Sequence, residues 1–122
     1  MQNLREWAKD YFQFRAQFLK FKLAEKNDSL ELDYAGRKEI VYWHESLSTA
    51  KAKKGYMVTK NTTANIDFLS KNWENFLIED LKIIFVNDDG TKWIINPLVH
   101  NKVCDSENLK ISLLSLSGYG EE

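Results

Sequence analysis

Cysteine and proline are almost missing from this chain of 122 residues, which has one of each (Cys104 and Pro97) and only five glycines. A lone cysteine cannot close an internal disulfide, which points to a reducing compartment and makes the cytoplasm the expected location. With so little proline and glycine, no flexible linker divides the chain, and residues 1–122 are expected to form a single domain. No apolar run approaches the ~18 residues that a membrane span requires. Arg5, Glu6, Lys9 and Asp10 interrupt the opening where a secretory leader would carry its apolar stretch.

Catalytic signatures are missing as well. The sequence has no glycine-rich phosphate loop before a helix, no Cys-x-x-Cys, no His-Glu-x-x-His and no nucleophile elbow. Neither sign of charge dominates: seventeen Lys and Arg face eighteen Asp and Glu, a net charge of −1. That balance lacks the basic excess of a dedicated nucleic-acid binder. The charge is unevenly spread, with twelve basic and eight acidic residues in 1–60 against five and ten in 61–122. Fourteen Lys against three Arg, with ten Asn, suggests an AT-rich genome and hence a bacterial or phage source.

What the chain does have is aromatic residues, gathered at its start. Leu4, Trp7, Tyr11, Phe14, Phe18 and Phe21 recur in steps of three and four, which puts them on one face of a helix. The spacing predicts a helix over about 4–24. Ala8, Phe12, Leu19 and Leu23 widen its apolar arc to roughly 200°, twice the ~100° of an ordinary core-facing helix. Arg15 and Lys22 project from inside that arc, where long stems lie on apolar surface or stack on neighbouring rings. An arc so wide must be embedded on two sides or meet something outside the chain.

Further along, Leu30, Leu32 and Tyr34 alternate with Glu31 and Asp33, and residues 39–44 are β-branched and aromatic, so the two stretches read as a hairpin. Tyr56 to Thr59 suits a strand. Ile66, Leu69, Trp73, Phe76 and Leu77 predict a second helix over about 66–79, with Asn65 as its cap. Leu81 to Val86 is a near-continuous apolar run, and Asp89-Gly90 predicts a hairpin turn into residues 91–96. Residues 100–108 read as loop, 109–116 as a bulged last strand and 117–122 as a polar tail. The expected fold is α+β: an antiparallel sheet of about five to six strands with the two main helices packed on one face.

Four groupings carry the functional expectations. Trp7, Tyr11, Phe14, Arg15 and Phe18 would form a partner surface or a homodimer seam, aromatics and Arg being the residues that dominate interfaces. The competing reading is that most of these rings are core. Glu74, Glu79, Asp80, Asp88 and Asp89 would form an acidic docking surface for a basic partner, or simply a solvated face. Lys51, Lys53, Lys54, Tyr56 and Lys60 are the nucleic-acid candidate, with lysines on phosphates and Tyr56 stacking on a base. His44, His100 and Cys104, with Asp105 or Glu45, have the residue types of a thiolate–imidazole pair or a zinc site but no motif to support either.

The leading expectation is a non-enzymatic protein-binding module of the inhibitor, immunity or accessory kind, with no cofactor and no metal. The alternative is a small-molecule binder or simple enzyme, with a pocket between the first helix and the sheet. Trp7, Tyr11, Phe14 and Tyr42 would line that pocket, and Arg15 or His44 would supply its polar contact.

Overall fold

The computed structural model describes residues 3–103 together with Ile111 and Leu113. Helix α1 (Leu4–Leu19) is capped by Asn3, whose side-chain oxygen accepts the backbone N–H of Glu6 at 2.8 Å. The aromatic periodicity runs on to residue 24, but the helix stops at Leu19 because Lys20 turns left-handed (φ 54°). Phe21 then drops into the core against Tyr34, their ring centroids 4.9 Å apart, and the chain continues as strand β1 (Lys22–Glu25). The last turn of the predicted helix is therefore extended, and Lys22 belongs to a strand.

Five more strands follow: β2 (Ser29–Tyr34), β3 (Arg37–Trp43), β4 (Gly55–Lys60), β5 (Leu81–Val86) and β6 (Lys92–Ile95). They lie side by side in chain order. β1, β2 and β3 run antiparallel, β3, β4 and β5 run parallel, and β6 turns back antiparallel to β5. The sheet is mixed, which corrects the antiparallel expectation. The cause is in the connections. β2 and β3 meet through a tight turn in which Ala35 and Gly36 both have positive φ, whereas β3–β4 and β4–β5 are joined by longer crossovers. The first crossover carries a 3-10 turn at Leu47–Thr49. The second carries α2 (Thr63–Lys71) and another 3-10 turn at Trp73–Phe76.

The helices lie on both faces, not on one. Leu4, Trp7, Ala8 and Phe12 of α1 pack on Leu30, Leu32, Val41, Tyr56, Val58, Ile84 and Val86. On the opposite face, Ile66 and Leu69 of α2 with Trp73 and Phe76 cover Tyr42, Met57, Leu81, Ile83 and Phe85. The central strands dictate this. β4 and β5 are apolar on both sides, and a strand of that kind needs cover on both. Full burial of a ring such as Phe12 contributes about 1.5–3 kcal/mol. On the solvent side, Glu25 of β1 holds α1 through Arg5 at 2.8 Å and Lys9 at 3.2 Å.

Three further expectations are corrected. α2 is capped by Thr62, and Asn65 is a buried residue within the helix. Residues 100–103, expected as the start of a loop, belong to helix α3 (Pro97–Val103), which opens on a proline because a first helical position has no N–H that needs a partner. Ile111 and Leu113 are helical rather than extended, and Leu113 is buried in the α2-side core. The other residues of the predicted last strand, the 117–122 tail, Cys104 and Asp105 lie outside the described residues. Among the described residues no helix is long and apolar enough to cross a membrane.

Candidate functional site

α1 buries its apolar face fully only as far as Phe12, with Ala16 still packed at partial exposure against the same core. Beyond that point the helix overhangs, leaving Phe14 60%, Phe18 67% and Leu19 47% exposed. The two phenylalanine rings, four residues apart, lean on each other with centroids 5.2 Å apart. Trp7, by contrast, is buried: its ring stacks on Tyr11 at 4.9 Å, and its Nε1–H donates to the Gly90 carbonyl at 2.9 Å. That bond draws the β5–β6 turn against α1. Between them runs an open groove of about 650 Å³, lined by Trp7, Asp10, Tyr11 and Phe14 on one side and by Asp89, Gly90, Thr91 and Lys92 on the other.

Of the residues expected to meet a partner, Tyr11, Phe14, Phe18 and Asp89 are gathered along this overhang and groove. Trp7 forms the groove's floor rather than its exposed wall. Asp88 sits exposed beside Asp89 in the same turn. The Thr91 hydroxyl donates to the Asp89 carboxylate at 2.6 Å and holds its pKa below the usual carboxylate range, so the turn stays negatively charged. Glu74 does not join them: it lies on the Trp73–Phe76 turn, in the layer on the opposite face of the sheet.

Arg15 stays within α1's own surface. It donates to the Tyr11 hydroxyl at 2.8 Å, and its guanidinium lies 5.4 Å from the centroid of that ring. Lys92 approaches the same ring at 5.1 Å. Tyr11 is thus held between two cations at the end of the groove.

The other groupings fare differently. Tyr56 is 9% exposed and packs against Phe12, so it offers no open face for a base to stack on. Lys60 pairs with Glu45, while Lys51, Lys53 and Lys54 are exposed in the loop before β4. His44 stands against Tyr42, and His100 against Trp73, each in an edge-on ring contact. Burial lowers the pKa of His100. Among the described residues no three of His, Cys, Asp and Glu stand where they could hold a metal. The expected small-molecule pocket does not form as drawn, because Tyr42 faces the α2 layer whereas Trp7, Tyr11 and Phe14 lie with α1 on the other side.

A second recess, which sequence reasoning missed, opens where β4 and β5 begin. β3 pairs with β4 only over Val41–Trp43, so its first residues run past the start of β4 and leave a notch. The notch has a volume of about 340 Å³ and is lined by Tyr34, Arg37, Lys38, Glu39, Ile40, Lys54, Tyr56, Asp80 and Lys82. Burial raises the pKa of both Tyr34 and Tyr56, and the Glu39 carboxylate raises them further. No local pattern foretells this grouping, because it depends on the register between strands distant in sequence. No protein-family model, curated protein or solved structure matches the chain, and its function is to be read from the exposed rings and the two recesses alone.

Proposed function

We propose that the protein is a non-enzymatic binding module that acts by seating a partner protein along the overhanging end of α1. The observation that carries this reading is the exposed, mutually packed pair Phe14 and Phe18, continued by Leu19. Held together in water, two phenylalanines four residues apart stabilise a helix by only about 0.2–0.5 kcal/mol. As the centre of an interface, the same pair supplies the aromatic anchor that dominates binding energy. The groove alongside supplies what such a centre needs around it. It has an apolar floor at Trp7 and Tyr11 and a charged rim at Asp10, Asp89 and Lys92. A partner with an apolar projection flanked by both donors and acceptors fits this arrangement.

The test is capture from native lysate by the tagged protein and by a Phe14→Asp/Phe18→Asp variant. Thermal melting first establishes that both are folded. One stoichiometric protein partner held by the first and lost by the second supports the reading. The same proteins held by both, or none held by either, overturns it. A concentration-dependent mass that the variant abolishes would make the partner a second copy of this chain.

A further inference from the structure

We infer that the notch at the start of β4 and β5 is a binding site for a small organic phosphate. Three features support this assignment, and none depends on partner binding by α1.

The first is charge. Four cations (Arg37, Lys38, Lys54 and Lys82) line the notch against two carboxylates, Glu39 and Asp80. Some of this is spent internally: Arg37 pairs with Glu39 at 3.5 Å, and Lys38 pairs with Glu31 at 3.3 Å. Lys54 and Lys82 are in no ion pair among the described residues. A phosphomonoester carries a charge of about −1.5 to −2 at neutral pH, which matches two uncommitted cations better than a single carboxylate does.

The second is hydrogen bonding. Neither the Tyr34 nor the Tyr56 hydroxyl has a protein partner among the described residues. Both phenols keep their protons at neutral pH, as a tyrosine with an ordinary pKa of about 10 already does, and burial with Glu39 raises theirs further. A protonated phenol donates to an anion; an ionised one would repel it.

The third is shape. A volume of about 340 Å³ lies within the range of small-molecule pockets and exceeds what a bare phosphate ion needs. Tyr34 and Ile40 give an organic group an apolar wall. Arg37 stands 4.9 Å from the Tyr34 ring centroid and Lys82 stands 5.0 Å from that of Tyr56, so each charge borders an apolar surface.

The experiment is titration of the full chain with phenyl phosphate, followed by amide chemical shifts, with inorganic phosphate and benzoate as parallel probes. The expected result is saturable shifts confined to residues 34–40, 54–56 and 80–82. Phenyl phosphate should bind more tightly than either control, and added salt should weaken it. Lys54→Gln/Lys82→Gln should weaken binding about tenfold or more, as loss of charge-assisted contacts does. Tyr34→Phe keeps the ring and should weaken binding less. The spectra themselves report that each variant is folded. Absent or unsaturable shifts, or binding unchanged in the double variant, would overturn the site. Equal affinity for benzoate would overturn its assignment to phosphate, and equal affinity for inorganic phosphate would overturn the organic part.

Discussion

The side-chain oxygen of Asn65, inside α2, accepts the backbone N–H of Leu47 at 3.0 Å, tying the second helix to the crossover before it. Its amide nitrogen faces the Glu45 carbonyl at 3.0 Å, the Lys60 carbonyl at 2.9 Å and the Thr59 hydroxyl at 3.1 Å. One buried side chain therefore satisfies three backbone groups from two separate segments. Replacing it by alanine leaves several of them without partners in a site that water does not reach. Asn65→Ala is expected to cost about 2–4 kcal/mol, read as a lowered urea midpoint with unchanged slope. Asn65→Asp should cost at least as much, since it turns an acceptor and a charge toward two carbonyls.

Gly55 opens β4 with φ 113°, and a Cβ built on it would collide with the Ile40 carbonyl oxygen. The contact is with backbone, which cannot swing aside. Gly55→Ala is expected to destabilise by about 3 kcal/mol or more, combining left-handed strain with displacement of β3. Thermal melting checks it. An Ala variant as stable as the parent would mean that the β3–β4 junction yields easily.

Tyr42 provides a pH test. Burial pushes its pKa up to about 12, and its hydroxyl donates to the Lys53 carbonyl, a bond that only the protonated phenol can make. Below pH of about 10 both folded and unfolded chains keep the proton, and the phenol contributes fully. As pH rises from about 10 to about 12 the unfolded chain ionises first, so stability falls by about 2–3 kcal/mol across that window. Urea melts at about pH 8 and about pH 11 should show the loss. Tyr42→Phe should cost about 1 kcal/mol at the lower pH and make the fall shallower. Tyr34 and Tyr56, also raised, should keep some of it.

α1 should divide into a half that matters for folding and a half that does not. Trp7→Phe keeps a ring but loses the bond to Gly90, for an expected loss of about 1 kcal/mol and a Tm lower by about 3–6 °C. Phe14→Asp/Phe18→Asp, at two exposed positions outside the core clusters, should move stability by about 0.5 kcal/mol per site or less. Differential scanning calorimetry of both variants would show the contrast directly.

Local periodicity foretold much of this arrangement. The start of α1, the β2–β3 and β5–β6 hairpins and the apolar run of β5 all rest on patterns that neighbouring residues determine. The alternation of Leu30 and Leu32 with charged residues, and the Asp89-Gly90 turn, fall where the sequence puts them. What local pattern could not supply was anything set by a distant partner. Lys20 ends α1 because Phe21 has a place against Tyr34, and no helical wheel contains that fact. Asn65 resembles a cap by composition, yet it is buried because Glu45, Leu47 and Lys60 converge on it. The two-sided cover of β4 and β5 was implicit in their apolar faces, but the direction of the crossovers was not. The candidate interface was legible in part. Phe14 and Phe18 belong to one apolar arc with Trp7, and only the length of the sheet beneath them decides which rings are left in water. Glu74 was misplaced because its position depends on which face α2 takes.

Strand order in this sheet equals chain order, so each strand's neighbour on one side is already made when it leaves the ribosome. α1 is the exception. Its supporting surface needs β3, β4 and β5, and the Gly90 carbonyl that receives the Trp7 indole is 83 positions further along the chain. α1 precedes every strand that supports it and is therefore among the last elements to find its seat. Until residue 90 has emerged, Trp7, Phe12, Phe14 and Phe18 are open together as one aromatic face on a nascent chain, which is the surface that holdase chaperones recognise. Folding closes that face at Trp7 and Phe12 and leaves Phe14 and Phe18 outside.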